Sequence, residues 1–294
     1  MKKFEGICAA LLTPYDESGK VNCAMLKKQV RWLIGQGIDG FYVCGSTGEA
    51  FLLSPQERMA ILDAVCEENN GEKLVIAHIG QIATEHALEL GRHAKAAGAD
   101  AISSISPFYY KFSSAEIQQY YLDLMNALEM PFFIYNFPAF SGFSLTPELL
   151  DEMCACPYVA GVKFTSSDFF QLERMKRAHP GLTIWNGYDE MLLSGLSAGA
   201  DGGIGSTYNV LCPTIRKIYD AHRAGDCAAA QQAQHLANDM ISLICKFGVF
   251  PSIKAILGFE GMDFGACRKP FGALSAEGRA QLKAGYEAYC KARG

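Results

Sequence analysis

Gly98-Ala99-Asp100-Ala101-Ile102-Ser103-Ser104-Ile105 holds the fold in miniature. Its glycine closes an amphipathic stretch, Thr84 to Ala97, and a short strand-like run, Ala101 to Ile105, follows at once. A glycine that ends a helix takes the left-handed backbone conformation that side chains resist. The phrase therefore reads as a helix C-cap that turns directly into a strand. It recurs as Gly37-Ile38-Asp39-Gly40 and as Gly199-Ala200-Asp201-Gly202. Copies of one helix-to-strand turn, spread along the chain, mark a repeated unit.

Working outward, short apolar or β-branched runs appear at Ile7 to Leu12, Gly40 to Val43, Leu74 to His78, Ala101 to Ile105, Phe132 to Tyr135, Val159 to Phe164, Thr183 to Asn186 and Gly202 to Gly205. Segments with apolar residues three and four apart lie between them: Asn22 to Gln36, Ser54 to Glu68, Thr84 to Ala97, Ala115 to Leu128, Thr146 to Met153, Phe169 to Ala178 and Met191 to Ala198. Ser54-Pro55 with Glu57, and Thr146-Pro147-Glu148, supply helix starts with an N-cap, a proline at N1 and an acid in the first turn. Alternating strands and helices in eight units predict an α/β fold, a (β/α)8 TIM barrel with additional C-terminal helices. The expected division is a barrel over 1–223 and a helical extension packed on it over 224–294. A doubly wound open sheet is the weaker alternative, because no Gly-x-Gly-x-x-Gly follows an early strand.

Composition narrows the function. The 294 residues carry a formal net charge of −5, and no run of basic residues offers a footprint for nucleic acid. The stretch Met1-Lys2-Lys3-Phe4-Glu5-Gly6 leads into an apolar run too short for a signal-peptide core or a membrane span. A soluble, cytoplasmic protein acting on small molecules is expected, without a membrane or nucleic-acid partner. The eleven cysteines contain no Cys-x-x-Cys pair, and the six histidines no His-Glu-x-x-His. They read as reduced thiols and give no metal site.

In a barrel the chemistry sits at the carboxyl ends of the strands. There the chain places Thr13, Gly45-Ser46-Thr47-Gly48-Glu49, Tyr109-Tyr110, Tyr135-Asn136, Lys163 with Thr165, Asn186-Gly187-Tyr188-Asp189-Glu190 and Ser206-Thr207. Lys163 stands out, as a cation ending an apolar strand. A buried amine is pushed toward its neutral form, which attacks carbonyls. The alternative is a lysine whose ammonium reaches solvent or a carboxylate.

These residues resemble the N-acetylneuraminate lyase and dihydrodipicolinate synthase family of Schiff-base aldolases. The resemblance runs from Ala10-Leu11-Leu12-Thr13-Pro14 through Gly45 to Glu49 and Tyr135-Asn136 to Lys163. It implies that Lys163 forms an imine with the keto carbon of pyruvate, that Tyr135 shuttles protons, and that Ser46 and Thr47 hold the pyruvate carboxylate. It also implies that Tyr109 reaches across a subunit interface in a homotetramer, although Tyr110 stands beside it and either could serve as interface packing. No cofactor is implied.

The synthase branch carries an arginine in a Pro-x-Arg-x-Gly context after the catalytic tyrosine. Pro138-Ala139-Phe140-Ser141-Gly142 has Phe140 there, and a phenyl ring cannot replace a bidentate guanidinium. The lyase branch is similar to this chain at Thr165-Ser166, Gly187-Tyr188-Asp189-Glu190 and Gly202 to Asn209. By that resemblance Asp189, Glu190, Ser206 and the Gly187 backbone bind the polyhydroxylated end of the sugar, and Thr165 orients the hydroxyl at the bond being broken. Asp189-Glu190 also reads as an acidic helix start that complements the dipole, and Phe250 as an apolar wall or as core. The implied reaction is reversible cleavage of N-acetylneuraminate to N-acetylmannosamine and pyruvate. A pyruvate-dependent aldolase or dehydratase acting on another 2-keto-3-deoxy sugar acid, or a non-catalytic barrel that senses sugar acids, are the alternatives.

Overall fold

A computed structural model describes residues 3–293; Met1 and Lys2 of the N-terminal stretch, and Gly294 of the expected extension, lie outside the described residues. The strands are β1 (Gly6–Ala10), β2 (Gly40–Val43), β3 (Leu74–His78), β4 (Ala101–Ile105), β5 (Phe132–Asn136), β6 (Val159–Phe164), β7 (Thr183–Asn186) and β8 (Gly202–Gly205). They pair in parallel and in sequence order into a closed barrel, with β8 returning to β1. The helices are α1 (Cys23–Gly35), α2 (Pro55–Asn69), α3 (Thr84–Ala96), α4 (Ser114–Leu128), α5 (Pro138–Ser141), α6 (Pro147–Met153), α7 (Phe169–Ala178), α8 (Leu192–Ser197) and α9 (Tyr208–Arg223), followed by α10 (Cys227–Phe247), α11 (Val249–Phe259) and α12 (Ala276–Arg293).

The repeated Gly-x-Asp phrase has a physical reason at each occurrence. Gly37, Gly98 and Gly199 have φ of +87°, +83° and +106°, the conformation a helix C-cap asks of glycine. The aspartate that follows then clamps the preceding strand from both sides. Asp39 N donates to Ile7 O at 2.9 Å while Ile7 N donates to Asp39 Oδ2 at 2.8 Å. Asp100 makes the same pair with Val75, and Asp201 with Ile184. Arg216 meets the Asp39 carboxylate, and Lys176 that of Asp201. These clamps ring the amino-terminal rim, opposite the catalytic face of a barrel.

Ser54 caps α2 in a full capping box with Glu57, and the Thr146 hydroxyl accepts from Leu149 N at the start of α6. Two expectations shift. β1 stops at Ala10 rather than Leu12; Leu11 N still donates to Tyr42 O at 3.1 Å, and beyond it Thr13 Oγ1 donates to Gly48 O at 2.7 Å. The helix expected from Met191 begins instead with a tight turn, Asp189–Met191, before α8. The short α5 was not foreseen.

Strand residues alternate between two cores. Val162 and Phe164 face the helices, whereas Tyr42, Phe133, Tyr135 and Trp185 fill the barrel interior. Phe4 closes the amino-terminal end, its ring edge-on to Phe133 at 5.1 Å. α9 completes the barrel, and α10 packs along α9 and α12. No single helix among the described residues is long and apolar enough to cross a membrane.

Candidate active site

Strand register decides the centre of the site. Lys163 on β6 lies level with Tyr135 on β5 and Trp185 on β7. Its inward direction follows from the strand period, and at Gly161, two residues earlier, β6 and β7 approach so closely that a Cβ would lie 1.8 Å from the Thr183 carbonyl oxygen. The Lys163 side chain is buried, with Nζ 4.0 Å from the ring centroids of both Tyr135 and Tyr42. Burial lowers its pKa from 10.5 to about 7, against the weaker opposing pull of the Asp189 and Cys8 charges. Nζ is buried and in no ion pair among the described residues, so the snorkelling alternative does not apply.

Tyr135 is buried as well, and burial pushes its phenol well up; the hydroxyls of Ser46 and Thr165 beside it pull the other way. It stays protonated at neutral pH and is a donor first.

Around this pair lies a cavity of about 230 Å³. Ser46, Thr47, Thr165, Gly187, Asp189, Glu190 and Ser206 line it together with Lys163 and Tyr135. Ser46 and Thr47 sit in a tight turn, Ser46–Gly48, after β2. The Thr47 and Ser206 hydroxyls are 2.6 Å apart, which ties the loop after β2 to the loop after β8. Gly187 is required by Thr165, because a Cβ at Gly187 would fall 1.8 Å from Thr165 Oγ1.

The two acids differ. Asp189 is buried, and its Oδ2 accepts from both the backbone N and the hydroxyl of Thr207 at 2.7 Å. Burial raises its pKa to about 6, opposed by those hydrogen bonds. Glu190 is exposed at the rim. Both occupy the first turn before α8, so the helix-start reading and the cavity-lining reading hold together. α10 secures their backbone, through Gln234 to Asp189 O and Asn238 to Glu190 O.

Tyr109 alone among the expected residues stands apart. It is 86% exposed and outside the cavity lining, with φ of +77°. Phe140 stacks on Phe137 with centroids 4.2 Å apart. It forms the wall, with Phe250, between the Lys163 cavity and an apolar neighbour of about 440 Å³. Phe250 is thus a wall residue.

Sequence reasoning missed Tyr42, whose ring covers the amine, and Ile241, Cys245 and Val249, which reach the cavity from the C-terminal helices. Tyr42 carried a signal, being an inward position on β2. The others carried none, since only tertiary packing brings α10 and α11 to the mouth. Among the described residues no group of three or more His, Cys, Asp and Glu could hold a metal ion.

Residues 3–289 match the Dihydrodipicolinate synthetase family, and the chain belongs to it. Within that family its relatives include the N-acetylneuraminate lyases of Salmonella paratyphi B and Salmonella typhimurium, each 44% identical over 285 residues, covering 96% of this chain and 96% of theirs. The fold is similar to a Clostridium difficile protein solved in complex with mannosamine (TM-score 0.96, 36% identity, 98% of this chain and 100% of the other). It is equally similar to the sialic acid aldolase of Ruminococcus gnavus (TM-score 0.96, 33% identity, 99% of both chains).

Proposed function

We propose that this chain is an N-acetylneuraminate lyase, a Schiff-base aldolase that reversibly cleaves N-acetylneuraminate to N-acetylmannosamine and pyruvate. The observation that carries the reading is the buried Lys163 amine, its pKa near 7, facing a cavity that, among the described residues, no other cationic side chain lines. The Ruminococcus gnavus aldolase has also been solved as a catalytic lysine mutant, at 32% identity to this chain.

The neutral amine attacks the C2 carbonyl of the open-chain sugar acid. Tyr135 passes protons as the carbinolamine loses water and becomes an iminium. Left as a phenolate once it has protonated the departing hydroxyl, Tyr135 takes the proton of the C4 hydroxyl, which Thr165 orients, and the C3–C4 bond breaks. Its electron pair flows into the iminium as an enamine, and C4 departs as the aldehyde of N-acetylmannosamine. Protonation of the enamine at C3 and hydrolysis release pyruvate and the free amine. Ser46 and Thr47 hold the carboxylate, while Asp189, Glu190, Ser206 and the Gly187 backbone receive sugar hydroxyls, for which carboxylates and a serine are fitting acceptors and donors.

Phe140 argues against an amino-aldehyde partner such as aspartate semialdehyde. Its ring lies on Phe137 and leaves no cation near that wall to grip a second carboxylate. An exposed Tyr109 held at positive φ suits the homotetramer expected from the family resemblance, with that phenol crossing to a neighbouring subunit.

The test is borohydride reduction with pyruvate, followed by mass measurement of the intact chain and of the peptide holding Lys163. A pyruvate adduct on Lys163 is expected; no adduct rejects the aldolase reading. A panel of 2-keto-3-deoxy sugar acids then checks the substrate, with N-acetylneuraminate expected to be cleaved fastest.

A further inference from the structure

The loop that carries Ser46 and Thr47 ends in a buried ion pair formed with the other end of the chain. Glu49 closes the Ser46–Gly48 turn at φ +59°, a left-handed conformation uncommon for a residue of its kind. Its carboxylate is fully buried. Oε1 is 2.8 Å from Lys254 Nζ of α11, an ionic contact without hydrogen-bond alignment, and the lysine side chain is itself 2% exposed. Oε2 accepts from Arg268 N at 2.7 Å. The Arg268 guanidinium donates to Leu52 O at 2.9 Å and to Glu57 Oε2 at 2.8 Å, gripping the far side of the same loop. Tyr15 packs against both cations, 4.3 Å from Lys254 Nζ and 4.7 Å from Arg268 Cζ.

Neither Glu49 nor Lys254 lines the cavity that holds Lys163. A buried pair of this kind is weak evidence for stability, since apolar residues of similar shape often serve as well. Backbone held in a sparse conformation by several convergent contacts points instead to a geometry that matters. Here the geometry is that of an anion-receiving turn, and an uncancelled carboxylate three positions after Ser46 would repel the anion.

We propose that Glu49, Lys254 and Arg268 are positioning residues: they fix the Ser46–Thr47 turn in its carboxylate-receiving shape, and Lys254 cancels the Glu49 charge that would oppose the substrate carboxylate. The inference rests on the reading that Ser46 and Thr47 hold that carboxylate.

The experiment measures the rate of borohydride trapping against pyruvate concentration in the full-length protein. Lys254→Met should raise the half-saturating pyruvate concentration about tenfold and leave the saturated trapping rate within about threefold. The double variant Glu49→Gln/Lys254→Met, which removes both charges, should return half-saturation to within about threefold of the parent. An unchanged half-saturation in Lys254→Met overturns the proposal, as does a double variant no better than the single. If Lys254→Met does not fold, Arg268→Ala takes its place, with a several-fold rise expected and no rise overturning the proposal. Failure of the parent protein to trap pyruvate would strike the aldolase reading instead, so the two failures are distinguishable.

Discussion

At pH 7 an amine whose pKa is about 7 is half unprotonated, against fewer than about one in a thousand for a free lysine. Imine formation should therefore rise with pH through about 7 and level off above it, which pH-dependent trapping of pyruvate will read; a rise centred near 10 would contradict the buried-amine account. The same burial opposes folding. Between about 7 and 10.5 the unfolded chain holds a proton on this lysine that the folded chain does not, so stability increases with pH across that window, and below it the penalty is complete. Lys163→Met should accordingly abolish activity yet stabilise the protein at pH 7 by ~1–3 kcal/mol, with the gain shrinking toward pH 10 in denaturant titrations. Tyr135→Phe should slow turnover by at least about a hundredfold with the melting temperature little changed, the usual scale for a lost acid-base group. Near-parental turnover would remove Tyr135 from its role. Glu190→Ala should weaken sugar cleavage far more than pyruvate trapping. Asp189→Ala will do so too, but with an added cost of about 1–3 kcal/mol, because Thr207 N and its hydroxyl lose their acceptor.

At the scale of elements, the aspartate clamps make their own prediction. Asp201→Ala removes the acceptor for Ile184 N and the carboxylate 2.8 Å from Lys176, and should cost about 2 kcal/mol in chemical denaturation. Since the clamp lies on the rim away from Lys163, kcat of the folded variant should stay near the parent value; an unchanged denaturation midpoint would show the clamp to be incidental. These clamps explain why the barrel was legible in the sequence. Gly-x-Asp is a local signal, written in adjacent residues whose conformation and hydrogen bonds are local too. The end of β1 was less legible because Leu11 and Leu12 remain apolar after the strand has stopped. α5 has four residues, too few for a helical period to show. Within the site, Lys163 and Tyr135 were readable as polar groups ending apolar strands. The Glu49–Lys254 pair and the reach of Ile241 and Cys245 into the cavity were not, because each joins segments from opposite ends of the chain and leaves no mark in either.

Over the whole molecule, α10 and α11 are part of the site's construction. They supply Ile241, Cys245, Val249 and Phe250 to the cavity and Lys254 to the loop after β2. The chain should unfold in one cooperative transition by calorimetry, and a version ending at Arg223 should fail to bind pyruvate; two separated transitions would contradict this. Assembly can be measured by sedimentation, with a tetramer expected. Returning to the Gly-x-Asp turns, the barrel keeps its architecture and its chemistry on opposite rims. The residues that tell one strand where to pair are out of reach of anything the cavity holds. Exchanging the loop after β7, with its Asp189-Glu190 pair, for one of another length or charge would therefore alter the choice of aldehyde while the instructions for closing the barrel stay intact. Such a scaffold can acquire new substrates through changes at one rim alone.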